Sequence, residues 1–414
     1  MKILIVNTHD TSGGAARAAY HLHKALQSIG VESQMLVQNK TSDDLTVIGP
    51  QTKMQKGMSF LRPVLDALPV RHYKNKSQTL FSPAWLPFSG IVDKINASDA
   101  DVVHLHWIVA GMMRLEDIAR IKKPIIWSLH DMWAFTGGCH YDSDCGKYAN
   151  HCEICPLLGS NRRCDLSYRV FKRKTKSFAK IPTLTIVGLS RWLANCAKNS
   201  TLLAKKHIVN LPNPIDAHTF RPFDKQIARD LLDLPRDKKL VLFGADGAMR
   251  DPRKGFAELF TAMHLIKSAD VNLVVFGSGL HINSTDFGFP AHYLGHMPGD
   301  LSLRVLYSVA DVMVVPSIQE NLSNVIMESL ACGTPVVAFD IGGNGDMIDH
   351  QQNGFLATPY DSTSLAEGID WILNYPTPQD LSLNARRKVM ETFEATMVAG
   401  QYVELYKEVL KKNK

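Results

Sequence analysis

Two glutamates eight residues apart, Glu320 and Glu328, lie in the run Pro316-Ser317-Ile318-Gln319-Glu320-Asn321-Leu322-Ser323-Asn324-Val325-Ile326-Met327-Glu328-Ser329-Leu330-Ala331-Cys332-Gly333-Thr334-Pro335-Val336-Val337. A carboxylate accepts paired hydrogen bonds, which is how the hydroxyls of a sugar or a ribose are held. The run reads as a strand end, a short loop with Glu320, a helix carrying Glu328, and Gly333 closing that helix before the next strand. Eight residues are about two helical turns, so both carboxylates are expected to face one crevice. Asn324 is placed to cap the helix, whose first N–H groups suit a phosphate. The plain alternative is a pair of surface carboxylates favoured by the helix dipole. Their setting favours ligand binding, because open parallel sheets take ligands past their strand ends.

Upstream, Gly244-Ala245-Asp246-Gly247-Ala248-Met249-Arg250-Asp251-Pro252-Arg253-Lys254-Gly255 follows an apolar strand. Lys254, or Arg250 or Arg253, is suited to neutralise charge on a departing diphosphate, against the alternative of an ordinary basic loop. Near the start, Gly13-Gly14 opens a helix with Ala18, Ala19, Leu22 and Leu26 on its apolar side. Glycines there let backbone N–H groups approach an anion, although a tight strand-to-helix turn explains them equally well. In Trp127-Ser128-Leu129-His130-Asp131-Met132-Trp133, His130 ends a strand and is placed to donate to a bound sugar or to shuttle a proton. His104 and His106, inside a strand, read as packing positions.

The elements that must position these residues are legible as alternation. Short apolar, β-branched runs alternate with longer amphipathic stretches, the pattern of parallel sheets wrapped by helices. Strands are expected at 2–7, 33–37, 101–106, 125–130, 183–189 and 207–211, and a second series at 239–244, 271–277, 311–316 and 335–340. A chain of 414 residues exceeds one ordinary core, so two domains are expected. Leu211-Pro212-Asn213-Pro214-Ile215-Asp216 breaks any helix and reads as the hinge, giving domains 1–211 and 212–391. The segment 42–89 reads as an irregular excursion, and 381–414 as helical in period, with Phe393, Val398, Tyr402, Leu405, Tyr406 and Val409 on one side. The fold class is α/β, two Rossmann-like, doubly wound domains.

Composition is that of a globular enzyme, with 45% hydrophobic and 21% charged residues, which excludes a disordered chain. The first apolar run is too short for a signal peptide, and no stretch reaches the ~20 apolar residues of a membrane span. A cytoplasmic location is expected, with the seven cysteines as thiols or metal ligands. Net charge is +6, concentrated in a run of Arg162, Arg163, Arg169, Lys172, Arg173, Lys174, Lys176 and Lys180 against Asp165 alone. That run is either a solvated helix face or a surface for anionic lipid headgroups or an acceptor pyrophosphate. No aromatic-rich binding motif accompanies it, which disfavours nucleic acid.

Glu320 and Glu328 followed by Ala-Cys-Gly-Thr-Pro-Val-Val, together with Lys254-Gly255, Pro212-Asn213-Pro214-Ile215-Asp216, Gly277-Ser278-Gly279 and Gly13-Gly14, occur in an order that resembles the large retaining glycosyltransferase family four. The resemblance extends over nearly the whole chain. It implies the GT-B architecture with an interdomain cleft, a nucleotide-sugar donor held mostly by the second domain, the acceptor by the first, and a C-terminal helix at about 392–414 packing back on the first domain. By it Glu320 would hold donor-sugar hydroxyls, Glu328 the ribose and Lys254 the diphosphate. Backbone N–H groups of Asn321 and Leu322 would lie beside that diphosphate, Gly13 and Gly14 would close over it, and His130 would meet the sugar. Two departures stand out. Met249 takes the place of an arginine five residues before the lysine, so either Arg250 or Arg253 substitutes or the contact is lost, and Asn321 and Ser323 replace glycines of the pattern.

Cys139, Cys145, Cys152 and Cys155, with His140 and His151 between them, resemble a cluster in relatives that build colanic acid, O-antigen and capsular polysaccharides. A structural zinc is one reading, since Cys152-Glu153-Ile154-Cys155 has a suitable inner spacing, and a reduced structural loop is the other. Asp142-Ser143-Asp144 lies inside this loop, not after a nucleotide-binding strand, and is discounted as a metal motif. The resemblance implies metal-independent transfer with retained anomeric configuration, no cofactor for catalysis, and a glycan acceptor, polyprenyl-diphosphate-linked, at the inner face of the cytoplasmic membrane. The rivals are a nucleotide-sugar epimerase or a phosphorylase on the same fold, and a non-catalytic protein that binds sugar nucleotides.

Overall fold

The computed structural model describes residues 1–181, 183–244, 251–277 and 288–412, so Met249, Arg250, Ser278 and Gly279 lie outside the described residues. The chain divides into two compact units, Met1–Asn213 with Val398–Lys414, and Pro214–Met397. The divisions thus fall at 213/214 and 397/398, against the expected 211/212 and 391/392.

In the first unit, seven parallel strands stand in the order β3-β2-β1-β4-β5-β6-β7. They are β1 (Lys2–His9), β2 (Glu32–Asn39), β3 (Val47–Ile48), β4 (Val102–Leu105), β5 (Ile125–Leu129), β6 (Leu184–Gly188) and β7 (His207–Asn210). The central strands are apolar almost throughout and buried on both faces, because helices cover both sides of a parallel sheet. Those helices are α1 (Gly14–Ser28), α2 (Lys53–Asp66), α3 (Leu68–Arg71), α4 (Ile91–Ala97), α5 (Leu115–Ile118), α6 (Leu166–Phe178) and α7 (Arg191–Asn199).

The second unit repeats the plan with six parallel strands in the order β10-β9-β8-β11-β12-β13. Its strands are β8 (Lys239–Gly244), β9 (Val271–Phe276), β10 (Ala291–Gly295), β11 (Val312–Val315), β12 (Val336–Phe339) and β13 (Gly354–Ala357). Its helices are α8 (Lys225–Leu231), α9 (Phe256–Met263), α10 (Gly299–Val309), α11 (Asn324–Ala331), α12 (Asn344–Met347), α13 (Ser362–Leu373) and α14 (Pro378–Thr392). The last helix, α15 (Ala395–Lys412), supplies its residues from Val398 onward to the first unit. There the Tyr406 hydroxyl meets His104 Nδ1 at 2.8 Å, and Tyr402 lies 3.4 Å from the Ser128 hydroxyl.

Each sheet reverses its order once, between β1 and β4 in the first unit and between β8 and β11 in the second. At such a switch point the flanking connections run to opposite faces and leave a crevice beyond the carboxyl ends of the strands. Both units are therefore Rossmann-like.

The segment 42–89 departs from its expected irregularity, for it forms β3, α2 and α3, and Thr52 with Gln55 makes a reciprocal cap at the start of α2. The helical stretch at 381–414 is broken at Phe393–Glu394 into α14 and α15, where Ile215 pairs with Glu394 and its N–H donates to Phe393 O at 2.9 Å.

Candidate functional site

In the second unit, a pocket of about 20 Å³ lies at the switch point, lined by Phe243 and Gly244 at the end of β8, Val314 to Ser317 at the end of β11, and Lys254, Ser323 and Val325. Two close approaches assemble its rim. Gly255, at φ +72°, lies against Pro316 so tightly that a Cβ would stand 1.7 Å from the Pro316 carbonyl oxygen. Ile318 N donates to Arg253 O at 2.9 Å, which ties the loop after β11 to the turn bearing Lys254. On the other side Gly342, at φ +54°, backs onto Glu320, where a Cβ would stand 1.8 Å from the Glu320 carbonyl oxygen. Only a residue without a side chain fits either contact.

These contacts bring Lys254 Nζ to 3.1 Å from Glu320 Oε2. The glutamate's other oxygen accepts from Asn321 N at 3.2 Å, so in this structure that N–H is directed at the carboxylate. Arg253 is held by its neighbour Asp251 through two contacts of 3.1 and 2.6 Å, and Lys254 meets Glu320. Asn321 and Leu322 are buried beside them.

Glu328 is 1% exposed and accepts from the Tyr307 hydroxyl at 2.8 Å, a partner on α10 that the sequence did not suggest. Ser323, not Asn324, occupies the cap position of α11, and Asn324 is its first residue.

In the first unit, Gly13 is the cap of α1 at φ +89° and Gly14 its first residue. The loop before them is held by Asp10, whose buried carboxylate accepts from Thr11 N, from Thr41 N and Oγ1, and from Ser42 N at 2.7–3.1 Å. Burial pushes the Asp10 carboxyl up, but these hydrogen bonds outweigh it and hold the group below the usual carboxylate range. Nothing in the sequence beyond a lone acid before a Gly-Gly turn pointed to this role.

At the end of β5, His130 is half-buried, and its Nε2 lies 2.9 Å from His106 Nδ1. His106 is therefore more than a packing residue. Its Nε2 is buried and has no hydrogen-bond partner among the described residues, and an orphaned buried N–H is the arrangement native structures avoid. The favoured arrangement has His106 protonated on Nδ1 and donating to His130 Nε2, which puts the proton of a neutral His130 on Nδ1. Burial lowers His130 from 6.5 to about 4 and His104 to about 3, so both are neutral at pH 7. Next to them Asp131 accepts from His140 Nδ1 at 2.6 Å, Trp107 Nε1 at 3.0 Å and Trp133 N at 2.8 Å, while His140 Nε2 lies 2.9 Å from the Ser82 hydroxyl. This network fixes the backbone that carries His130.

All seven cysteines are free thiols, and among the described residues no three His, Cys, Asp or Glu side chains are grouped to hold an ion. Cys139 and Cys155 pack in a small apolar cluster with Val70, Phe81 and Leu158, Cys152 packs in the main core, and Cys145 is half-buried. Burial raises all four thiols, Cys152 to about 12, which keeps them protonated.

The basic run is likewise divided. Lys174 is fully buried, donates to the carbonyls of Trp133 and Thr136, and is lowered to about 7 by burial. Arg173 is spent on Glu116 and on the carbonyls of Pro83 and Ala84. Arg162, Arg163, Arg169, Lys172, Lys176 and Lys180 stay exposed.

Residues 239–375, most of the second unit, match the family model described as Glycosyl transferases group 1. An uncharacterized glycosyltransferase of Methanocaldococcus jannaschii is 30% identical over 49% of this chain and 53% of its own length. D-inositol 3-phosphate glycosyltransferase 2 of Catenulispora acidiphila is 30% identical over 67% of this chain and 63% of its own. The chain thus spans between about half and two thirds of the length of these relatives. Sucrose-phosphate synthase of Thermosynechococcus elongatus has the same fold, with a TM-score of 0.69 and 19% identity over 100% of both chains. The Anabaena protein HepE, solved with UDP, gives a TM-score of 0.65 and 18% identity over 99% of this chain and 100% of that one. In fold over its whole length, and in sequence along most of its second unit, the chain is similar to glycosyltransferases of the GT-B architecture.

Proposed function

We propose that the chain is a retaining, metal-independent glycosyltransferase of family four that moves a hexose from a UDP- or GDP-sugar onto a polyprenyl-diphosphate-linked glycan at the inner face of the cytoplasmic membrane. The product would be a surface polysaccharide of the colanic acid, O-antigen or capsular kind. The observation that carries the reading is the Lys254–Glu320 pair beside a pocket at the sheet's switch point. An ammonium and a carboxylate placed there match the two halves of a nucleotide sugar, a diphosphate and a ring of hydroxyls. The group 1 match over the same residues and the UDP complex of a protein with this fold support it.

A diphosphate seated against Lys254 beside the pocket would compete for its ammonium and leave Glu320 to accept from sugar hydroxyls. Glu328, oriented by Tyr307, is assigned to the ribose. In the transfer step the acceptor oxygen bonds to the anomeric carbon on the face that the leaving group vacates. The carbon–oxygen bond to phosphate breaks with its electron pair going to the diphosphate, and the acceptor's proton passes to the departing phosphate oxygen. Lys254 stabilises the charge that builds there. His130, neutral at pH 7, meets the sugar as a hydrogen-bond partner and needs no proton of its own to give. Gly13 and Gly14 are assigned to the diphosphate side of the donor.

The test is nucleotide diphosphate release from UDP- and GDP-sugars by purified protein, with and without chelator and lipid-linked acceptor, followed by anomeric analysis of the product. Acceptor-dependent release that survives chelation, with retained configuration, is the expected result. An inverted product refutes the mechanism, and donor turnover without acceptor points to the epimerase.

A further inference from the structure

Helix α2 is inside out. Its buried residues are Ser59, Arg62 and Asp66, whereas Met54, Met58, Phe60, Leu61 and Val64 are exposed, Met54 and Phe60 each by 77%. An amphipathic helix on a protein surface ordinarily turns its apolar stripe to the core. Here the polar side is the anchor, for the Arg62 guanidinium donates to the carbonyls of Gly111, Leu86 and Pro87 at 2.6–3.2 Å. Asp66 accepts from Trp85 N at 3.2 Å. The loop so tethered carries Trp85, 39% exposed, and Phe88, 96% exposed, and Leu68 continues the apolar surface into α3.

Within residues 51–81 the exposed charge has one sign. Lys53, Lys56, Arg71, His72, Lys74 and Lys76 are exposed, and the lone acid between residues 51 and 81, Asp66, is buried. Against the same surface lies an open cavity of about 740 Å³, whose wall includes Leu68 and Trp85 together with the basic side chains of His72, Lys74, Arg162 and Arg169. The acid in that wall, Asp165, is already engaged by Cys155 N, Tyr168 N and the Ser167 hydroxyl.

We propose that the α2–α3 face docks on an anionic phospholipid bilayer, with Met54, Met58, Phe60, Leu61 and Phe88 entering the boundary between headgroups and acyl chains, and the basic cavity taking lipid phosphate. Exposed apolar side chains ringed by cations fit a surface that is anionic outside and apolar beneath. A second copy of the same face would bring like charges together and is disfavoured on that ground. The surface meets the basic run at Arg162 and Arg169, which line the cavity, whereas Lys172 and Lys176 farther along α6 lie outside that lining. The inference deepens the proposed function by naming the docking surface, and its test requires no donor.

The experiment is co-sedimentation of the full chain with vesicles of phosphatidylcholine alone and of phosphatidylcholine with phosphatidylglycerol. Binding to the anionic vesicles is expected, weakened by salt and by omission of phosphatidylglycerol. The exposed double substitution Phe60→Ser/Leu61→Ser, and separately Lys53→Glu/Lys56→Glu, should each lower it by about tenfold or more. Lys172→Glu/Lys176→Glu on α6 should change it by less than about twofold, and Phe60→Trp should give an emission shift to the blue with anionic vesicles only. The proposal is overturned if wild-type protein ignores anionic vesicles, if the α2 variants bind as wild type, if the α6 variant is the one that loses binding, or if the same α2 variants dissolve a concentration-dependent dimer. UDP and GDP binding measured calorimetrically on the same samples separates the two readings. Vesicle binding with neither UDP nor GDP bound would sink the donor site and leave the docking face, and nucleotide binding without vesicle binding would sink only the face.

Discussion

Lys254 Nζ and Glu320 Oε2 stand 3.1 Å apart although 66 residues separate them. The pair is partly open, with side-chain exposures of 30% and 12%, and is therefore a contact that a ligand can replace. Lys254→Ala should lower kcat/KM for transfer by about 10²–10³-fold, the scale for losing one group that stabilises transition-state charge. Lys254→Arg should recover part of it. Glu320→Ala should abolish transfer with an unchanged circular dichroism spectrum, and steady-state release of the nucleotide diphosphate measures both. Full activity in either alanine variant would remove the pair from the mechanism.

Glycine 342 offers an indirect handle on the same carboxylate. Gly342→Ala places a methyl where the Glu320 carbonyl now lies and strains a φ of +54°. The loop must shift, so transfer should fall by about tenfold or more while urea unfolding shows a loss of about 1–3 kcal/mol. A variant that loses stability but keeps wild-type kcat/KM would show that the position of Glu320 is not critical.

The contact between His106 and His130 sets a tautomer, and that can be read directly. Selective ¹⁵N-histidine labelling should show His130 protonated on Nδ1 in wild type, with that preference weakened in His106→Leu. His106→Leu should lower kcat by about tenfold or more, with a smaller effect on donor KM. His106→Asn, whose amide can donate from near the Nδ1 position, should restore part of the rate. Equal losses in Leu and Asn variants would reduce His106 to packing.

Acid should unfold the first unit through its histidines. Burial lowers His23 to about 4, His104 to about 3 and His130 to about 4, from 6.5. Between those values the unfolded chain binds protons that the folded chain does not, so stability rises with pH there. It is complete above about 6.5 and is lost progressively as pH falls towards 4. The urea midpoint should be level between pH 7.5 and 6.5 and clearly lower at pH 5. A flat midpoint down to pH 5 would show that these rings are solvated.

The sheets were legible because their central strands are apolar on both faces, as at Ile3 to Val6 and Val312 to Val315. Strands β10 and β13 were missed, since the half-buried His292 and Tyr293 of β10 and the short run Gly354–Ala357 of β13 carry weak periodicity. The segment 42–89 misled for a physical reason: α2 has its apolar residues outward, so its pattern gives no sign of where the core lies. At the site, Glu320, Lys254 and His130 announce themselves by residue type and place. Tyr307, His106 and Asp10 do not, because their roles depend on distances across the fold, 2.8 Å for Tyr307 to Glu328 and 2.9 Å for His106 to His130. In the cysteine cluster, Cys139 and Cys155 pack in one apolar cluster and Cys152 in another, while Cys145 is half-buried, a division that spacing alone does not reveal.

Helix α15 packs Tyr402 and Tyr406 into the first unit, both fully buried and in contact with Ser128 or His104. On a ribosome, therefore, the first unit emerges with a gap in its core and keeps it while the whole second unit is made. Two large aromatic side chains fill that gap only when residues 398–412 appear. The unit translated first is the one completed last, and a nascent chain halted after residue 213 should present the β4–β5 region, its buried histidines included, to solvent and to chaperones.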